Sequence, residues 1–423
     1  MKAILKLIFL GLVIAFAYNI YEKHQDAWRP LLAEAKELLK DFRVEPGAGT
    51  IAYTEASTGE NSSNAVDITD YSVHESARPD SYISSENENT AYHETSLEYH
   101  PGESPAGSES WIKTVTEKYS PDSWQMLMLY DRLPASSAGA SRDGGTISSD
   151  KSADAFHYLE GGTRIELLAS MATNVHEISH AYFSQNVFQH ARENGLKLDW
   201  DLVQGFLYLS PGESFFLSFP KQSLFPSNEL VSFIPISLRT FRFDTYVAGN
   251  TSTQGQGVIG LLDELHAYYL GSKFHVDVSE AYKESAGSDA EGLFAWVSAT
   301  QSEMTAFYEF DFFIREYLLL MKRNHSSDYA KLKEYEPFTD AYKAVCSSFE
   351  GLTGKYTGMV QTELEKLNAS GEGKAWIKDG HFWVRNADGS SSGTPLFSED
   401  REKLLPVLQS ERYNDIKADF LGK

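Results

Sequence analysis

Cysteine is nearly absent: the 423 residues contain one, Cys346. That excludes an intrachain disulfide framework, a cysteine-based zinc finger and an iron–sulfur cluster. Any metal must therefore be held by His, Asp or Glu. Basic residues are also scarce, 37 against 60 acidic ones, which leaves a net charge of −23. So acidic a chain gains nothing from a phosphate backbone, which argues against nucleic acid as a partner. No fixed period recurs, so a solenoid is not expected. What the chain does have is apolar material, 42% of its residues with 13% aromatic, enough for a sizeable core.

The negative charge is concentrated. Residues 46–110 hold twelve acidic side chains against one basic, Arg78, and are rich in Ser, Thr, Asn and Gly. Such a stretch cannot bury enough apolar area to offset its ordering entropy, so it reads as a disordered acidic linker. Ahead of it, Lys2 and Lys6 flank an apolar run that reaches Ala15-Phe16-Ala17. Residues 1–25 thus read as a signal peptide or an N-terminal membrane anchor, either of which puts the body of the chain outside the cytoplasm. Residues 26–45 form an amphipathic pattern, with Trp28, Leu31, Leu32, Ala35, Leu38, Leu39 and Phe42 at helical spacing.

The folded body is expected from Trp111 to Lys423, as one predominantly helical α+β domain. Helical periods cover Thr163 to Asn194, Val258 to Leu270 with Gly271 as a stop, Ser298 to Arg323, Tyr329 to Leu367, and Ser398 to Phe420. A small β region is inserted between the first two: Gly205–Leu209 and Phe215–Phe219 flank a Pro211-Gly212 turn, and Arg239–Val247 alternates in the same manner. Asp379-Gly380 predicts a late hairpin over Trp376–Val384.

One constellation carries chemistry. His176-Glu177-Ile178-Ser179-His180 lies inside the first long helix. Residues four apart project from one face, so two imidazoles can reach one zinc ion at about 2.0–2.1 Å each. Glu177 is rotated by about 100° from His176, beside the ion and not on it. There it can take a proton from an attacking water and return it to a leaving amine. A catalytic site needs a third protein ligand. The metzincin extension does not supply one, because Phe183 and Asn186 stand where its Gly and His would fall. The best candidate is Glu264 in the second helix. Ala267, three places on, leaves room for two helices to approach. Tyr268, one turn beyond Glu264, could donate to an oxyanion. Asp263 is a rival ligand if that helix is rotated. Glu303, Glu309 and Asp311 are others, among the phenylalanines of the third helix, where Arg315 or Lys322 could pair them.

His176-Glu177-x-x-His180 with a downstream Glu264-x-x-Ala267 resembles the gluzincins, the thermolysin-like clan of zinc metallopeptidases. The resemblance implies an active-site helix and a glutamate-bearing helix, one Zn2+ held by His176, His180 and Glu264, Glu177 as general base, and a peptide or protein substrate. Two other readings stay open. The same centre could act on another amide or ester of the cell envelope, or the chain could be a non-catalytic binding module that keeps a metal. His266, His275, Tyr182 and Tyr246 are minor candidates for supporting a metal ligand or donating a hydrogen bond to the transition state. Arg239 or Arg242 could hold a substrate carboxylate if one points into the cleft. Asp379, His381 and Trp383 read as turn and surface residues.

Overall fold

The computed structural model describes residues 105–369, 375–385 and 389–422, all within one compact unit, His93–Lys423. The expected signal or anchor, the helix over 26–45 and most of the acidic linker lie outside the described residues. The linker's expected end at residue 110 is too late, because the first helix already begins at Pro105.

In chain order the elements are α1 (Pro105–Tyr119), α2 (Pro121–Asp131), β1 (Ser136–Ala140), β2 (Thr146–Asp150), α3 (Arg164–Glu193), β3 (Leu202–Ser210) and β4 (Glu213–Pro220). An irregular segment over 221–257 follows, with short 3-10 turns and one helical turn, Phe243–Tyr246. Then come α4 (Val258–Asp277), α5 (Ser279–Ser285), α6 (Asp289–Asn324), α7 (Ser326–Lys333), α8 (Glu336–Ala369), β5 (Ala375–Lys378), β6 (His381–Arg385), β7 (Ser391–Pro395) and α9 (Glu399–Gln409). The sheets are small and antiparallel: β1-β2, β3-β4 and β5-β6-β7. The fold is therefore α+β and predominantly helical, as the periodicity predicts. Among the described residues no helix is long and apolar enough to cross a membrane.

The centre is a three-helix layer of α3, α4 and α6, with β3 against α3 and α8 closing the far side. The start of α3 is set by a capping box: the Thr163 hydroxyl accepts from the Glu166 amide at 3.2 Å, and the Glu166 carboxylate accepts from the Thr163 amide at 2.9 Å. It stops at Asn194, before Gly195 in the left-handed region. The phenylalanines of α6 are core: Phe310, Phe312 and Phe313 are fully buried, so this aromatic stripe lines no groove.

Several expected boundaries move. The Arg239–Val247 stretch is not a strand. Beyond Thr240 its buried positions are Arg242, Phe243, Tyr246 and Val247, a helical spacing, while Phe241 faces solvent. Arg242 turns inward to meet a buried carboxylate, which no alternation rule anticipates. Gly271 does not end α4, which runs on to Asp277. It lies between α3 and α6, since a Cβ there would meet the Ala172 carbonyl at 3.2 Å and Glu303 Oε2 at 2.9 Å. The long α6 begins earlier than expected, at Asp289 behind a Ser288 cap. The last helix stops at Gln409 and gives way to short turns. The late hairpin forms as expected on Asp379 and Gly380, both at positive φ, and gains an unforeseen third strand, β7.

Gly260, in the first turn of α4, makes a contact the site needs. A Cβ there would lie 2.0 Å from the Thr253 carbonyl oxygen, so only glycine lets the Ser252–Gln256 turn rest on the helix. Gly260→Ala should cost about 1–3 kcal/mol of overpacking, more than the roughly 1 kcal/mol that alanine gains in a helix interior. Urea unfolding checks this; unchanged stability would show that the turn does not bear on α4.

Candidate metal centre

α3 presents His176 and His180 from consecutive turns, with ring centroids 4.9 Å apart and Nε2 atoms 3.2 Å apart. α4 packs along α3 and supplies Glu264. Its Oε2 lies 3.3 Å from His180 Nε2 and 3.9 Å from His176 Nε2. A tetrahedral ion with bonds of about 2.0–2.1 Å spaces its ligands about 3.3 Å apart. The three edges match that triangle closely enough that these residues could hold a metal ion. The Glu264 carboxylate itself makes the fit more specific. Oε1 accepts from the Thr253 hydroxyl at 2.9 Å, whereas Oε2 is buried and has no hydrogen-bond partner. A buried anionic oxygen without a partner is costly, and a cation between it and the imidazoles would remove that cost. The sequence expectation for His176, His180 and Glu264 is thus met in space.

Asp263 takes a different part from the one its rivalry with Glu264 suggested. One step along α4, it reaches the outer side of His180, where Oδ2 is 2.8 Å from Nδ1. The carboxylate can only accept, so Nδ1 keeps its proton, and Nε2 is the nitrogen that gives up its proton to bind an ion. The two rings sit in different fields. His176 is held well below the usual imidazole range by burial first and then by charge on His180 and Arg242. Burial acts the same way on His180, but Asp263 and Glu264 outweigh it and hold that ring well above the range.

Glu177 is half-buried on α3, on the side facing the 151–163 loop. That loop is tied down by Asn174. Its carbonyl oxygen accepts from the Tyr158 amide at 3.0 Å, and its amide donates to the Ala155 carbonyl at 2.9 Å. The Tyr158 phenol is pushed up by burial and then by the Glu177 carboxylate. On the other wall, the half-buried Tyr268 ring meets His176 edge-on at 4.4 Å and stacks on Phe310 at 5.3 Å, and its hydroxyl is 3.0 Å from that of Tyr246. The structure therefore gathers His176, Glu177, His180, Glu264 and Tyr268.

The remaining candidates are occupied elsewhere. His266 is buried with Nε2 2.6 Å from the Tyr208 carbonyl, and His275 meets the Tyr282 hydroxyl at 3.2 Å. Tyr182 packs against Phe206 and Tyr208. Arg239 donates to the carbonyls of Val231 and Ile234, so it is not a carboxylate anchor. Glu303 faces His275 at 3.7 Å. Asp311 is paired with Arg315 at 2.5 Å and accepts from Tyr342. Glu309 is paired with Arg242, not with Arg315 or Lys322; Lys322 meets Asp415. None of these acids joins the metal cluster. Asp379, His381 and Trp383 belong to the late hairpin, where Trp383 stacks on Trp376.

The sequence reading missed Thr253, Asn174 and Tyr158. The only signal for Asn174 is its position two residues before His176; Thr253 and Tyr158 act through tertiary contacts that carry none. Comparison with protein families, curated proteins and solved structures finds no match for the chain.

Two outcomes test the cluster by competition with a chromophoric chelator. Asp263→Asn should weaken divalent-metal binding by about 10–100-fold, the usual effect of losing a carboxylate behind a metal-bound histidine. His176→Ala should abolish stoichiometric binding. Full affinity in both variants would place the ion elsewhere.

Proposed function

We propose that the protein is a zinc-dependent hydrolase of peptide bonds, with Glu177 as general base. The observation that supports this most directly is the buried triangle of His176, His180 and Glu264 Oε2, whose lone carboxylate oxygen has no protein donor. Two imidazoles and one carboxylate form the donor set that zinc takes in hydrolytic sites. Bound there, zinc would polarise a substrate carbonyl and acidify water.

The chain's own groups supply the remaining chemistry. Glu177 follows His176 on α3, so its carboxylate flanks the ion position without occupying it. It accepts the proton of the attacking water and delivers it to the departing amine nitrogen. Tyr268 approaches from α4 on the His176 side, where its hydroxyl can donate to the oxyanion that forms as the carbonyl becomes tetrahedral. Asp263 and Thr253 hold His180 and Glu264 so that neither ligand has to reorganise during turnover. The acidic stretch over 46–110, behind the N-terminal apolar run, would let this domain range outward from a membrane tether. An extracytoplasmic location follows from that reading.

The decisive measurement uses zinc-loaded protein and a mixed peptide library read by mass spectrometry. Wild type should cleave. Glu177→Gln should keep one zinc per chain and lose about 10²–10⁴-fold in rate. Tyr268→Phe should lose kcat by about 10²–10³-fold, the range for deleting one oxyanion donor. Zinc-replete wild type that cleaves no peptide would overturn the assignment, and so would Glu177→Gln with undiminished rate.

A further inference from the structure

Arg242 is buried beside the site, on the irregular segment that leads to α4. Its Nη1 donates to Glu309 Oε2 at 2.6 Å, its backbone amide donates to Glu309 Oε1 at 3.1 Å, and Nη2 donates to Ser302 at 3.3 Å. Glu309 is fully buried on α6. The guanidinium carbon stands 4.5 Å from the centroid of the Tyr268 ring, and the Tyr268 hydroxyl is 3.0 Å from that of Tyr246.

Three roles can be weighed. As a stability device the pair is a poor choice, because two buried charges barely recover their desolvation cost and an apolar pair of similar volume would serve as well. As an anchor for a substrate carboxylate, Arg242 is already neutralised: Glu309 takes both Nη1 and the backbone amide. The third role fits the contacts. The cation lies against the Tyr268 ring and the Tyr246 hydroxyl meets that of Tyr268, so the loop fixes where the phenol sits in the site.

We propose that Arg242, fixed by Glu309, is a positioning residue that holds the Tyr268 phenol where its hydroxyl can serve the reacting carbonyl. This rests on the hydrolase reading of the site, and it adds a residue that touches neither ion nor substrate. The ring of Tyr268 is then located on three sides, by His176, by Phe310 and by the guanidinium, and its hydroxyl meets that of Tyr246.

The test compares Arg242→Met/Glu309→Leu, which removes both charges together, with Arg242→Lys, Tyr268→Phe and the combined triple variant, all zinc-loaded. Zinc content, kcat and KM on the best cleaved peptide, and affinity for a phosphinic peptide that mimics the tetrahedral state are measured. The expected result is unchanged zinc content and KM in the double variant, with kcat and phosphinic affinity at least tenfold lower. Arg242→Lys, whose single ammonium cannot serve Glu309 and Tyr268 together, should show the same split to a smaller degree and covers the case in which the double variant does not fold. In the Tyr268→Phe background the further loss should fall below twofold. Wild-type kcat and phosphinic affinity in both Arg242 variants would overturn the proposal, as would a loss that persists in full without the Tyr268 hydroxyl. Zinc-replete wild type that neither cleaves peptides nor binds the phosphinic probe would instead overturn the hydrolase reading itself.

Discussion

The site depends on one juxtaposition: the Glu264 carboxylate on α4 pressed against two imidazoles on α3. Each group is expensive to bury alone. Glu264 is 4% exposed and His176 7% exposed, and among the described residues no lysine or arginine forms an ion pair with the Glu264 carboxylate. The fold answers with small, specific contacts. Thr253 covers one oxygen of Glu264, Asp263 covers the outer nitrogen of His180, and what is left bare is aimed at a common point. Burying that much polar surface around an unpartnered oxygen is hard to reconcile with a purely structural helix contact, and easy to reconcile with a cation.

The helices and the irregular segment divide the labour. α3 and α4, packed on each other with α6 against α4, carry the residues proposed as metal ligands and general base. The 221–257 segment carries Arg242, Tyr246 and Thr253, which touch the ligands or Tyr268 and do not themselves face an ion. Gly260 lets that segment come close enough for Thr253 to reach Glu264. Ligand geometry is therefore set by helix packing, and the alignment of hydroxyl donors by loop packing.

This division also explains what could be read from the sequence. The His176–His180 face, Glu177 beside it, the Thr163 start and the β3-β4 and β5-β6 turns were all legible, because each follows from local geometry: the helical period or a glycine-containing turn. Glu264 was legible through its spacing to Ala267 and Tyr268 on the same helix. Asp263 was visible as an acid, but its partner was not, since only the packing of α4 on α3 reveals that it lies behind His180 and not in front of it. Arg242 was the deepest miss. In an alternating stretch it reads as one of two strand arginines that could hold a substrate carboxylate, whereas it is turned inward onto the buried Glu309 of α6, far along the chain, in a stretch that forms a helical turn. Gly271 misled for a related reason. Glycine marks a helix end when φ must be positive, but it also marks a close crossing, and sequence does not distinguish the two.

The Arg242–Glu309 pair raises a final physical point. Both charges lie out of solvent, where an isolated ion costs several kcal/mol. A hydrolase cleft gains from such an arrangement only if the pair's field reaches the reacting atoms. Here it does so through one intermediate group, because the guanidinium lies against the Tyr268 ring and the ring lies against His176. A neutral phenol placed between a fixed cation and a forming oxyanion is polarised toward that oxyanion, and it needs no reorganisation as charge develops. The same cation adds to the burial that keeps His176 unprotonated, as a metal ligand must be. In the proposed hydrolase one buried arginine thus bears on both walls of the site: its charge favours the free lone pair of His176, and its contact holds the ring of Tyr268.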